Sequence, residues 1–534
     1  MKKNLFTPIF YVLLACCALW SCGSSDNDSG EVVKPPFKRT ERSIEMKSTI
    51  LGQTVKYSVL FPKDYDKTTT DYAVVYLLHG YGDNENAWLD GGRIENHVDL
   101  AVSMGHTKPL ILVMPHCDNS YYVDNHSGSR QYMKMITEEL VPLVDKNYRT
   151  IKDANHRAMM GYSMGGYGAF ILPSINPNLF STSVSLSMSW RTDAQYMAEP
   201  QGVWDNQFGA IFGGTGQSGQ GRITEYFKQH SPFHFFLKND LSKYKKVKYL
   251  LDCGDDEAQL SITNDELHSL MLEKGITHEY RMRNGAHNWD YWSASMDEAF
   301  KFIQLSFDES SLPEEEVEVA SKPDAVRGQY SKIAIEGVGE NIGIYLPEEY
   351  ANSGLRYPVI YLLHDRKDVK EDRESIKKVL SLMETAYIVD GLSQVILVEL
   401  PTDVLNKDGF AEKTMEHIDN NYRSLAKPTA RLAMANNLGG KGMEKLLTKV
   451  NACFLYNAEI PATGFESQTK FYYLDMTDKF MGSRPYGNLY AKLRNDKIAH
   501  EYRVRNGIDS YRSFLNGLPK SFSSMNAQLD KPEK

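Results

Sequence analysis

Cysteine is scarce in this chain of 534 residues: there are six, and Cys16, Cys17 and Cys22 fall within the first 22 positions. The other three, Cys117, Cys253 and Cys453, are odd in number and widely scattered, so no disulfide framework is expected. No Cys/His cluster has zinc spacing, and neither a metal nor a cofactor is implied. After the first 20 residues no apolar run approaches the length of a spanning helix. Basic charge is also in deficit. There are 60 Lys and Arg against 69 Asp and Glu, a formal net charge of -9, which argues against a nucleic-acid partner. The balance of 42% hydrophobic and 24% charged residues is that of a soluble globular protein. At about 150 residues per domain the length allows three to four units, and cores of that size need no covalent staple.

The first residues are of a different kind. Lys2 and Lys3 precede an apolar run from Phe6 to Trp20, broken only by Thr7 and Pro8. This is the pattern of a secretory signal, too short to span a membrane. It ends Leu19-Trp20-Ser21-Cys22-Gly23, which resembles a bacterial lipobox in which Cys22 is lipidated and becomes the mature N-terminus. The bulky Trp20 departs from the small or aliphatic residue usual there. Residues 23–36 are rich in Ser, Asp, Asn and Gly and read as a flexible tether. Within it, Asp26-Asn27-Asp28 resembles the acidic surface-export signals of Bacteroidetes lipoproteins, or is simply linker. The expected location is the outer membrane, at the cell surface or the periplasmic face.

A second linker is marked by Asp308-Glu309-Ser310-Ser311-Leu312-Pro313-Glu314-Glu315-Glu316, acidic and without apolar period. Four motifs recur in the same order on its two sides. Tyr72-Ala73-Val74-Val75-Tyr76-Leu77-Leu78-His79-Gly80 is echoed by Tyr357-Pro358-Val359-Ile360-Tyr361-Leu362-Leu363-His364-Asp365, and Leu110-Ile111-Leu112-Val113-Met114-Pro115 by Val395-Ile396-Leu397-Val398-Glu399-Leu400-Pro401. Asp145-Lys146-Asn147-Tyr148-Arg149 returns as Asp419-Asn420-Asn421-Tyr422-Arg423. The fourth, His278-Glu279-Tyr280-Arg281-Met282-Arg283-Asn284-Gly285, returns as His500-Glu501-Tyr502-Arg503-Val504-Arg505-Asn506-Gly507. This is an internal duplication. Short continuous apolar runs, such as 74–78 and 111–114, predict strands buried on both faces, and residues 132–144 carry apolar side chains at helical spacing. Strands alternating with helices predict an α/β fold with a mostly parallel sheet.

The chemistry gathers around Gly161-Tyr162-Ser163-Met164-Gly165-Gly166, which follows a predicted strand and opens a predicted helix. That context is the nucleophile elbow of α/β-hydrolases. The serine sits in a strained turn, and side chains at Gly161 and Gly165 would strike the adjoining strand and helix. In this fold the acid and then the histidine follow the serine along the chain. His287, in the loop after the last strand of the first copy, is the candidate base. The acid belongs in the loop after the strand 248–252, where Asp255, Asp256 and Glu257 crowd together and spacing does not choose. The oxyanion donors are expected at the backbone N–H groups of Met164 and, from the loop opened by His79-Gly80, Tyr81. His79 itself reads as a structural buried histidine. Residues 190–237, rich in Gly, Phe and Trp between nucleophile and acid, are expected to cap the pocket.

These motifs, with Asn86-Ala87-Trp88, Asp252-Cys253-Gly254 and Gly285-Ala286-His287, make residues 37–307 resemble the esterase D-like group and carbohydrate esterase family 1. The resemblance implies a serine carboxylic-ester hydrolase acting on an acylated glycan, from which it removes feruloyl or acetyl groups. A siderophore or other small-ester hydrolase is the first alternative, and a glycan-binding surface lipoprotein without catalysis the second. In the family the acid lies three residues beyond the glycine of its loop, which falls on Glu257, where the family has Asp; a shifted loop would use Asp256. The second copy has Asn437 at the nucleophile position, Asp509 at the histidine, Phe480 at the acid and Asp365 in place of the oxyanion-loop glycine, so acyl transfer is not expected there. The expected organisation is a lipoprotein signal over 1–22, a tether over 23–36 and a catalytic α/β-hydrolase domain over 37–307. A linker over 308–325, a degenerate esterase-like domain over 326–522 and a tail over 523–534 follow.

Overall fold

The computed structural model describes residues 37–313, 326–364, 372–460 and 469–534. The expected signal with Cys22, the tether, residues 314–325 of the linker and Asp365 lie outside the described residues. In the first half the strands are β1 (Thr40–Ser48), β2 (Gln53–Leu60), β3 (Ala73–Leu78), β4 (Leu110–Pro115), β5 (Arg157–Tyr162), β6 (Thr182–Leu186), β7 (Lys248–Gly254) and β8 (His278–Arg283). The second half repeats them as β9 (Gln329–Ile335), β10 (Gly339–Leu346), β11 (Val359–His364), β12 (Ile396–Pro401), β13 (Arg431–Asn436), β14 (Ala452–Tyr456), β15 (Phe471–Thr477) and β16 (Ala499–Arg505).

Within the first half the spatial order is β1-β2-β4-β3-β5-β6-β7-β8, and the second half has the corresponding order β9-β10-β12-β11-β13-β14-β15-β16. Strands β3 to β8 run parallel, and the antiparallel β2 and β1 finish the outer edge. Every residue of β3, β4 and β5 is buried, as continuous apolar runs require of strands covered on both faces. The predicted helix over 132–144 forms, with a π turn over Met135–Leu140 at its centre.

The halves are not separate bodies joined only by a linker. Their last strands, β8 and β16, meet antiparallel at Met282 and Val504, giving one sheet of sixteen strands among the described residues. Each strand closes an edge that the other half would otherwise leave open. On one face of the sheet the apolar core runs unbroken across the junction, through Leu267, Tyr280, Tyr490 and Tyr502. On the other, each half keeps its own core. Between those two cores lies a charged cleft of about 690 Å³ that includes Arg283, Glu298, Lys301 and Arg505.

The segment 523–534 is not a free tail. Phe522–Ala527 is helical, Leu529 is buried, and Glu533 exchanges backbone hydrogen bonds with Arg356. Its apolar residues at 525 and 529 supply the packing that a tail would lack. The described start of the linker is docked as well: Leu312 is buried, and Asn506 Nδ2 donates to Pro313 O at 2.7 Å.

Candidate active site

Ser163 leaves the end of β5 with φ 57° and ψ -120°, in the left-handed half of backbone space that a non-glycine residue occupies only when its surroundings enforce it. Here the surroundings do. Ser163 N donates to Leu186 O of β6 at 3.0 Å, and Ser163 O accepts from Ser189 N at 3.0 Å. The flanking glycines are sterically required. A Cβ on Gly161 would lie 2.1 Å from Gly165 O, and one on Gly165 would lie 2.1 Å from Leu78 O. The Met164–Ile175 helix begins immediately, so its first N–H groups, without intrahelical acceptors, face the serine's end of the helix.

His287 and Glu257 come together after β8 and β7. His287 Nδ1 and Glu257 Oε2 are 2.7 Å apart. The Glu257 side chain is fully buried, and its other oxygen, Oε1, accepts from Gly254 N at 2.9 Å and from Ser187 Oγ at 2.5 Å. The hydroxyl of Ser187 in turn accepts from Trp292 Nε1 at 2.8 Å. The Trp292 ring lies edge-on to His287, with centroids 5.0 Å apart, and packs on Tyr162, the neighbour of Ser163, at 4.4 Å. One indole thus joins the elbow, the histidine and the carboxylate. With Nδ1 committed to Glu257, the Nε2 of His287 is the nitrogen left to exchange a proton with a nucleophile.

The other two acidic residues of the loop point elsewhere. Asp256 is exposed, and its backbone N donates to Gly285 O at 3.0 Å. Asp255 is buried and turned toward the second half, accepting from Arg503 Nη1 at 2.5 Å. Asp252, inside β7, accepts from Tyr291 and Arg283.

Tyr81 is exposed and lines a cleft of about 290 Å³ together with Asn119, Ser120, Asn206, Ala210 and Ile211. Its loop is held by Gly82 N donating to Asn119 Oδ1 at 2.7 Å. Gly80 has no room for a side chain: a Cβ would come 2.7 Å from the Tyr162 ring. His79 is buried, donating from Nδ1 to Gly80 O at 2.8 Å and accepting at Nε2 from Cys117 N at 3.0 Å. Burial lowers its pKa to about 4, so it is a neutral brace for the loop. The insert over 190–237 folds on buried aromatics. Trp190 stacks on Tyr167 at 4.5 Å, and the buried Arg222 donates to Tyr196 O at 2.9 Å and Glu199 O at 2.6 Å.

Ser187 and Trp292 were not among the residues singled out from sequence. Trp292 follows His287 by five positions, one turn into the next helix, a spacing that could have flagged it. Ser187 carries no such local mark. In the second half Asn437 occupies the elbow after β13 with φ 44°, followed by a 3-10 turn. Asp509 is exposed after β16, and Phe480 is buried after β15.

Residues 48–303 match the family model described as putative esterase. The chain is similar to an endo-1,4-beta-xylanase/feruloyl esterase of Xylanibacter ruminicola, 26% identical over 246 residues, covering 43% of this chain and 28% of that protein. It is also similar to an acetyl esterase of Caldicellulosiruptor saccharolyticus, 24% identical over 247 residues, covering 46% of this chain and 86% of that one. Among solved structures, a ferulic acid esterase aligns over 50% of this chain and 99% of its own, at 24% identity and a TM-score of 0.43. The first half of the chain is an α/β-hydrolase of the esterase type. Within that class it is a carboxylic-ester hydrolase domain.

Proposed function

We propose that Ser163, His287 and Glu257 form a catalytic triad that removes feruloyl or acetyl groups from plant polysaccharide or its oligosaccharides through an acyl-enzyme. The observation that carries this reading is the His287–Glu257 hydrogen bond, linked through the Trp292 ring to Tyr162, the neighbour of a serine held at φ 57°. His287 Nε2 takes the Ser163 proton as Oγ attacks the ester carbonyl, and the N–H groups of Met164 and Tyr81 hold the oxyanion. The imidazolium protonates the leaving sugar oxygen, and water, deprotonated by the same nitrogen, then frees the acid. The cleft beside Tyr81 receives the acyl group or the sugar.

The substrate class is supported by the relatives, one named for xylanase and feruloyl esterase activity and one for acetyl esterase activity. The leader and Cys22 support export and a lipid anchor in the outer membrane. The second half, with Asn437 and Asp509 at the elbow and histidine positions, performs no acyl transfer. The test is release of ferulate from feruloylated arabino-oligosaccharide and of acetate from acetylated xylo-oligosaccharide by the protein and by Ser163→Ala. Release of either acid, lost in the variant, supports the reading; release of neither refutes the glycan assignment.

A further inference from the structure

The junction between the halves has two reciprocal clamps. In one, Asp478 of the second half accepts from Arg281 Nη1 at 2.6 Å and Tyr280 N at 3.2 Å through Oδ2, and from Gly507 N at 3.1 Å through Oδ1. In the other, Asp255 of the first half accepts from Arg503 Nη1 at 2.5 Å and Tyr502 N at 3.2 Å through Oδ2, and from Gly285 N at 3.2 Å through Oδ1. The two sets match partner for partner, and their arginines lie in the repeated motif His-Glu-Tyr-Arg-x-Arg-Asn-Gly.

Their surroundings differ. Asp255 is two residues from Glu257, and Gly285 is two residues from His287, so this clamp ties the acid loop to the histidine loop. The second half also grips the backbone of the acid loop. Asp255 O accepts from Tyr490 Oη and from Arg494 Nη1, each at 2.5 Å, and Tyr490 Oη lies 2.6 Å from Ser261 Oγ. The loop of the Asp478 clamp carries Phe480 where an acid would stand.

We propose that the second half is a positioning element for the triad, in which Arg503, Tyr490 and Arg494 fix the loop of residues 254–257 so that Glu257 meets His287. The inference rests on the triad reading above. It explains why a half without a nucleophile is fused edge to edge with one that has it. A misplacement of about 1 Å among catalytic groups can cost about a hundredfold in rate, so a loop held from outside its own domain has a kinetic consequence.

The experiment uses the full chain and measures kcat and KM for 4-nitrophenyl acetate from pH 5 to 9. The variants are Arg503→Met, Arg503→Lys, Tyr490→Phe, Asp478→Asn and Ser163→Ala, each with a thermal melt. Arg503→Met is expected to lower kcat between about tenfold and a hundredfold with KM little changed. A displaced Glu257 stabilises the imidazolium less, so the acid limb of kcat/KM moves to lower pH. Tyr490→Phe, which deletes one hydroxyl and keeps the ring, shifts both in the same direction by less, and it decides the matter if Arg503→Met does not fold. Arg503→Lys restores part of the rate. Asp478→Asn breaks the mirror clamp and costs similar thermal stability, with kcat within about twofold of the parent. Parent-like kcat and pH limb in Arg503→Met and Tyr490→Phe overturn the proposal, as does an equal effect of Asp478→Asn. If Ser163→Ala retains turnover, the triad reading itself fails; if it is inactive and the clamp variants are not, only the positioning proposal fails.

Discussion

Glu257 Oε2 meets His287 Nδ1 at 2.7 Å, while the second oxygen of the same carboxylate is held by Ser187 and by the Gly254 amide. The carboxylate therefore has little freedom to rotate away. Glu257→Gln keeps the shape, but its NH2 group would donate to Nδ1 and put the ring proton on Nε2, where it blocks transfer from Ser163. The expected loss in kcat is about 10³- to 10⁴-fold with KM nearly unchanged, measured by steady-state ester hydrolysis.

Ser187→Ala removes the hydroxyl between Trp292 and Glu257 and leaves the buried indole N–H without its acceptor. A lost buried hydrogen bond of this kind costs about 1–3 kcal/mol. The expected outcome is a lower melting temperature together with a kcat reduced by about tenfold or more, since Glu257 loses one of the groups that orient it. A melt that drops with kcat untouched would assign Ser187 to stability alone.

Ala210 is exposed on the wall of the cleft beside Tyr81. Ala210→Trp is expected to fill that space. KM for methyl ferulate should rise at least about tenfold, while 4-nitrophenyl acetate, with its small acyl group, is hydrolysed as before. Equal effects on both esters would place the acyl group elsewhere.

Asp265 lies buried at the junction, where Tyr502 Oη donates to its Oδ1 at 2.9 Å. Burial raises its pKa to about 7, against the lowering effect of the Tyr502 hydrogen bond, with Glu266 adding to the rise and Arg484 opposing it. The unfolded carboxyl ionises near its ordinary value of about 3.9, so between about pH 4 and pH 7 the folded chain holds a proton that the unfolded chain has lost. This group's contribution to stability is full below that window, declines as pH rises through it, and is gone above about 7. Asp265→Asn keeps an acceptor for Tyr502 and cannot ionise. The variant should melt higher than the parent at pH 8 and close to it at pH 4 by calorimetry.

Much of the catalytic half was legible because its constraints are local. The glycines around Ser163 are spaced for a turn in which a Cβ on Gly161 or Gly165 would strike backbone, and each buried strand is a continuous apolar run. The choice among Asp255, Asp256 and Glu257 was not legible by spacing, because it depends on partners far along the chain. Arg503 draws Asp255 to the junction, the turn at Gly285 leaves Asp256 in water, and only Glu257 is left to reach His287. The shared sheet was hidden for the same reason. The repeat of 278–285 at 500–507 announced a duplication, but a strand's own pattern does not say which edge it will pair with.

In the proposed triad Ser163 is the nucleophile and His287 its base. The most direct measurement is turnover of 4-nitrophenyl acetate and methyl ferulate by the full chain, Ser163→Ala and His287→Ala at pH 7.5, with circular dichroism to establish that each is folded. Turnover by the parent and a loss of at least about 10³-fold in each variant are expected. Parent-level hydrolysis by folded Ser163→Ala, or no hydrolysis of either ester by the folded parent, would contradict it.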